Sequence, residues 1–141
     1  MSEYERLIGT WRLLSLKYQM EDTGEVIEPW GSHPQGWLVL TPEGRLIALG
    51  MAADRLVPIT DSEAAAQWRS MICYTGRTRM EGNDRFVTDV DAAWNPGWVG
   101  AQQARNFELD GDKLSVQTDP ISVPNYTGRR LRAILVWQRE A

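Results

Sequence analysis

Apolar and polar residues alternate with a period of two along most of the chain. They do so in short runs separated by turn residues, the pattern of strands half-buried in an antiparallel sheet. Eight such runs are readable: 9–20, 36–41, 45–50, 72–81, 85–93, 102–109, 113–118 and 129–139. One stretch follows another period. Thr60 and Glu63 have capping-box spacing, and Ala64, Ala65, Trp68, Met71 and Ile72 then recur at three-to-four-residue intervals, which predicts one short helix with a single apolar stripe.

The connections alternate in length. Pro42-Glu43-Gly44, Gly82-Asn83-Asp84 and Asp110-Gly111 are tight turns with Gly, Asn or Asp where positive φ is needed. Between them lie four long connections, 21–35, 51–70, 94–101 and 119–128. In an up-and-down meander successive connections fall at opposite ends, so the tight turns gather at one end and the long loops at the other. The predicted fold is all-β: an eight-stranded antiparallel up-and-down β-barrel, closed at one end, with the helix near its mouth. Closure removes the sheet edges and leaves an interior wide enough for one small ligand.

Turn geometry assigns faces to side chains. A two-residue Asp110-Gly111 loop pairs Glu108 with Lys113 outside and sets Arg105, Phe107 and Leu109 on the inward face with Leu114 and Val116, so Arg105 and Gln103 point inward. A three-residue loop at 82–84 pairs Arg77 with Asp89 and Arg79 with Val87 outside. Tyr74, Gly76, Thr78 and Met80 then face Phe86, Thr88 and Val90 inside. On the first strand, Lys17 and Ser15 share the face of Trp11 and Leu13, and Leu14, Leu16 and Tyr18 face out. The 42–44 turn groups Trp37 and Val39 with Ile47 and Leu49, a set assigned outward because Ala48 and Gly50 are small interior choices. Together these outward apolar residues predict a homodimer through the first three strands.

These residues bear a family likeness. Gly9-Thr10-Trp11 opening the first strand, the eight-strand meander, and Trp137 and Arg139 ending the last strand resemble the calycin superfamily. That resemblance implies that Trp11 plugs the closed end and that Arg139 stacks on it, which agrees with antiparallel neighbouring of the first and last strands. More narrowly, the chain resembles the bacterial and fungal lipocalin-like domain family. The stretches carrying this likeness are 7–13, 34–45, Tyr74-Thr75-Gly76-Arg77, Asn95-Pro96-Gly97-Trp98-Val99-Gly100, 105–112 and Leu135-Val136-Trp137. The family implies a barrel with an apolar small-molecule pocket and no one reaction. Its members often carry histidines on the fifth strand, where this chain has Thr88 and Asp89, so a catalytic role tied to those histidines does not transfer.

Composition narrows the function classes. The 141 residues, 43% apolar and 24% charged, are read as one domain over 1–141. A single cysteine, Cys73, excludes an internal disulfide. The start of the chain lacks a leader-like pattern and no apolar stretch reaches membrane-spanning length, so a cytoplasmic location is expected. Net charge is −4 with scattered Lys and Arg, which argues against nucleic acid as a partner. A dedicated metal site has little to draw on, because His33 and Cys73 are alone in their kinds; no phosphate-binding Gly-rich loop opens a helix, and no cofactor is expected.

The remaining chemistry sits at the open end. Trp30, Trp68, Trp94 and Trp98 all fall on mouth loops or the helix, more rings than a plug requires. Arg105 is the sharpest candidate, since an inward guanidinium must meet an internal acceptor or a ligand's carbonyl or carboxylate. Tyr74 enters at the same end, with its hydroxyl either orienting a ligand or bonded to backbone. The first reading is a barrel that binds a small hydrophobic molecule, polyketide-like or aromatic. Arg105, Tyr74 and Gln103 hold its polar ends, Trp68, Trp98, Met71 and Phe107 its body, and Thr88 and Lys17 complete the lining. The alternative is a cyclase or isomerase of secondary metabolism on the same scaffold, with Arg105 or Tyr74 polarising a carbonyl. A third class, an interaction module, requires a filled barrel.

Overall fold

The alternation is realised as nine strands: β1 (Gly9–Met20), β2 (Val26–Ile27), β3 (Gln35–Leu40), β4 (Arg45–Met51), β5 (Met71–Met80), β6 (Arg85–Ala93), β7 (Gln102–Asp110), β8 (Lys113–Gln117) and β9 (Leu131–Arg139). The structure, a computed structural model, describes residues 2–123, 126 and 128–140. Each expected run is a strand, with bounds shifted by no more than two residues. Strands run β1-β3-β4-β5-β6-β7-β8-β9 with neighbours antiparallel, and β9 pairs back onto β1 to close the barrel. The short β2 is an addition, hung on the far end of β1 through Tyr18↔Ile27 and Gln19↔Val26. Residues 124, 125 and 127 of the fourth long connection lie outside the described residues.

Two helices flank the barrel. The helix α1 (Glu3–Leu7) was not expected, although Ser2 and Glu5 form the same capping box as Thr60 and Glu63. The helix α2 (Asp61–Arg69) has its box as read: the Thr60 hydroxyl accepts from the Glu63 N–H at 3.2 Å, and the Glu63 carboxylate accepts from the Thr60 N–H at 3.0 Å. The Thr60 N–H, and with it the Ile59 N–H, holds the Glu63 carboxyl below its ordinary value. The stripe expected to run on through Met71 and Ile72 stops at Arg69. Met71 and Ile72 instead pair with Met51 and Gly50, because the β4 ladder offers both residues backbone partners that a further helical turn would forgo. No helix among the described residues is long and apolar enough to cross a membrane.

Two registers correct the sequence reading. At the last tight turn Asp110 pairs with Lys113, so Gly111-Asp112 forms the loop, with Gly111 at φ 60° in its first central position. Glu108 therefore opposes Ser115 rather than Lys113. The pairing slides by an even step, so every face assignment survives, and Phe107 and Leu109 still share a face with Val116 and Leu114. On β1 the change is odd. Leu13 pairs with Trp137 and Ser15 with Val136, which leaves Leu14 as a bulge. The extra residue reverses the phase beyond it: Leu16 and Met20 are buried, Tyr18 turns inward, and Lys17 is exposed. The expectation that Lys17 shares the face of Trp11 and lines the interior is overturned.

The closed end is a plug of large side chains. Trp11, Leu7 and Leu114 are fully buried there, and Trp11 donates its indole N–H to the Leu7 carbonyl at 2.9 Å. Arg139 lies directly across the ladder from Trp11, with its guanidinium carbon 4.1 Å from the ring centroid. Its terminal nitrogens donate to the carbonyls of Ile8 at 2.9 Å and Arg6 at 2.7 Å, tying the end of β9 to the turn between α1 and β1. The 82–84 register is as expected, with Arg77 opposite Asp89 and Arg79 opposite Val87. Gly76 has a packing reason: a Cβ built there sits 2.1 Å from the Asp89 carbonyl oxygen, beside a break in the β5–β6 register.

On the outside, the 42–44 turn sets Trp37 opposite Leu49 and Val39 opposite Ile47, as expected. Trp37 and Ile47 keep 40% and 43% of their surface exposed. The Leu14 bulge removes Leu16 and Tyr18 from this outer face, which leaves an apolar patch smaller than the one read from the sequence and centred on Trp37, Val39, Ile47 and Leu49.

Candidate functional site

The interior opens at the end opposite the plug. A cavity of about 150 Å³ lies within the barrel, walled by Leu16, Leu38, Ala48, Phe86, Val116 and Leu135 and crossed by the rings of Tyr18, Trp30, Tyr74, Trp98 and Trp137. Above it a wider vestibule of about 550 Å³ is bounded by α2 and the mouth loops. Tyr18, Trp30, Ile72, Trp98 and Val123 belong to both walls and so form the neck between them.

An unbroken series of rings leads from the surface to the cavity. Trp68 on α2 is 45% exposed and lies 5.7 Å from Trp94, whose indole N–H donates to the Trp68 carbonyl at 3.1 Å. Trp94 meets Trp98 edge-on at 4.9 Å, and Trp98 lies 5.3 Å from Tyr74 inside the barrel. Trp98 owes its place to the Asn95-Pro96-Gly97-Trp98 turn, where the Asn95 side chain accepts from the Gly97 N–H at 2.9 Å. Tilted and edge-on contacts of this kind favour aromatic surfaces over aliphatic ones.

Against this apolar wall the polar groups are few. Arg105 pairs across the ladder with buried Phe86 and enters the cavity, as its register predicted. It donates to the Gln103 side-chain oxygen at 3.0 Å and to the Ala104 carbonyl at 2.9 Å, and no carboxylate pairs with it among the described residues. Tyr74 is 6% exposed and lines the cavity, and among the described residues its hydroxyl finds no hydrogen-bond partner. Thr118 is committed to the sheet, where its hydroxyl accepts from the Ala133 N–H at 3.0 Å. Burial, and secondarily Tyr126, pushes the Tyr18 hydroxyl above its ordinary pKa, which keeps it neutral.

The other expected site residues separate by depth. Trp68 and Met71 line the vestibule, and Trp98 lines both spaces. Gln103 orients Arg105 from two residues away. Thr88 is buried and shares a 2.8 Å hydrogen bond with Thr78, while Phe107 packs against Phe86 at 5.7 Å in the core. Lys17 is outside the barrel, for the reason given above. His33 is an exposed loop residue whose Nδ1 lies 2.9 Å from the Ser32 hydroxyl. Among the described residues no group of His, Cys, Asp and Glu is placed to hold a metal ion. Several wall residues escaped the sequence reading, among them Leu16, Tyr18 and Ile121. Tyr18 was hidden by the bulge, and Ile121 by its place in a loop, although its bridge to Leu131 extends the sheet.

The chain matches the family model of the lipocalin-like domain over residues 8–140. No curated protein matches it. Among solved structures it is similar to EF1p2_mFAP2b bound to DFHBI, with 16% sequence identity, 99% of each chain covered and a TM-score of 0.51. At that identity the likeness is one of fold.

Proposed function

Because this chain belongs to the lipocalin-like domain family, we propose that its barrel binds a small, largely apolar organic molecule of one or two rings, aromatic or polyketide-like. The observation that carries this reading is the cavity itself: an aromatic-walled space reached through a ring-lined neck, with the polar groups of Arg105 and Tyr74 on its wall. In this reading Trp98, Trp30 and Ile72 clasp the body of the ligand, and Trp68 and Met71 guide its entry. Tyr74 and Arg105 meet its oxygen atoms. That EF1p2_mFAP2b, a protein of similar fold, is bound to DFHBI is consistent with the proposal.

Titration with 2-naphthamide, followed by quenching of tryptophan fluorescence, tests the reading. Saturable quenching is expected in the native chain. It is expected to weaken by about tenfold or more in Ala48→Leu or Ala133→Leu, each of which puts bulk into the cavity. Quenching that survives both changes in folded protein places the probe elsewhere and ends the proposal.

A second reading, a cyclase or isomerase, draws on one observation, the Tyr74 hydroxyl, without a hydrogen-bond partner among the described residues, in the same cavity as Arg105. A chain held folded between these groups would gain from proximity, and either group could polarise a carbonyl. Native mass spectrometry of protein taken from its own host separates the readings. A retained ligand identical to the free metabolite favours binding, and a retained cyclised or isomerised product favours the enzyme.

The outer patch of Trp37, Val39, Ile47 and Leu49 supports pairing with a second copy. Light scattering at micromolar concentration is expected to give twice the chain mass, and Ile47→Glu to return it to one. A monomeric mass for the native chain removes the dimer.

A further inference from the structure

We infer that the ligand is an anion: an aromatic or polyketide-like molecule whose carboxylate, or ionised enol or phenol oxygen, sits on the Arg105 guanidinium. This rests on the reading of the cavity as a ligand site and adds the charge that the ligand must carry.

Arg45, Arg79, Arg85 and Arg129 lie on the outside of the molecule, and each has an aspartate within 3.0 Å. Water would have screened those charges in any case. Among the described residues Arg105 is the only formally charged side chain on the cavity wall, and unlike those four its hydrogen-bond partners are neutral. A cation facing apolar walls is costly, and two amide-type oxygens offset that cost only in part.

The donors point the same way. A guanidinium carries five N–H bonds, and only the contacts to Gln103 and Ala104 are filled among the described residues. Gln103 spends its oxygen on Arg105, which fixes the plane of the fork while leaving further donors free. A carboxylate can accept two of them side by side, an arrangement that a lysine could not offer. The attraction is local. The chain as a whole carries −4, so any preference for an anion comes from this one group and not from a general positive field.

A matched pair of probes tests the inference. 2-Naphthoate and 2-naphthamide have the same rings and nearly the same head group, and they differ in charge. Native protein is expected to bind naphthoate at least about tenfold more tightly than naphthamide. In Arg105→Met the ratio of the two affinities should collapse to near one. Arg105→Lys should restore part of it, because it keeps the charge and loses the fork. Thermal melts verify that each variant is folded. Equal affinities in the native chain, or a preference for naphthoate that persists in Arg105→Met, overturn the anion and leave the cavity reading standing. If neither probe binds folded native protein, the cavity reading fails and the inference falls with it.

Discussion

Trp11→Ala is expected to lower the melting temperature by about 10 °C or more, since truncating a buried tryptophan costs about 3–5 kcal/mol and each kcal/mol moves a chain of this size by a few degrees. The ring is fully buried, and two things rest on it: the Leu7 carbonyl, which accepts its N–H, and the Arg139 guanidinium. The small residue leaves a void that the closed end cannot fill, because the ladders on either side hold β1 against β3 and β9. Arg139→Ala should cost less, about 2–3 kcal/mol, through loss of the stacked cation and of the donors to the Ile8 and Arg6 carbonyls. Neither residue lines the cavity, so the affinity of molecules that remain folded for 2-naphthamide should be unchanged. Urea or thermal melts decide the matter. A native-like midpoint for Trp11→Ala would show that the plug is not what holds the closed end together.

That division between a structural end and a binding end was legible in the sequence to an unequal degree. The alternation of long and short connections placed the plug and the mouth correctly, because turn residues carry their own conformational demands and need no knowledge of the rest of the chain. The faces of β5 to β8 were legible for the same reason, and that of β4 from its small residues Ala48 and Gly50. The phase of β1 was not, since it depends on a bulge, and a bulge is a compromise between two ladders that a single strand does not reveal. One trace of it was there. From Ser15 onward polar residues alternate with Leu16, Tyr18 and Met20 in a clean order, and the adjacent Leu13 and Leu14 are where two opposite phases meet. Reading that doubled leucine as a change of phase would have put Tyr18 into the cavity and Lys17 outside. The helix α1 left a similar trace in Ser2 and Glu5, but a helix of five residues has too short a periodicity to be read. Arg105 was legible as an inward charge. Which of its two expected roles it fills depends on where the acids lie, and that is a property of the whole fold.

Trp98→Ala should do the reverse of Trp11→Ala, loosening the ligand more than the fold. Trp98 sits on a three-residue helical turn at the mouth and is half-buried, so the barrel ladders do not depend on it. Its ring is nonetheless the point where the surface series of Trp68 and Trp94 meets Tyr74, and it walls both the neck and the cavity. Removing it takes one face from a bound aromatic ring and opens the cavity to water, a loss of about 2 kcal/mol of binding or about thirtyfold in Kd for either naphthyl probe. Trp68→Ala, which removes a ring from the vestibule alone, should cost no more than a few-fold. The two variants therefore distinguish a ligand held inside the barrel from one held among the mouth loops. Equal losses in both would move the site outward to the vestibule. An unchanged Kd in Trp98→Ala would remove the neck from the path altogether, and with it the reason for a continuous series of rings between the surface and Tyr74.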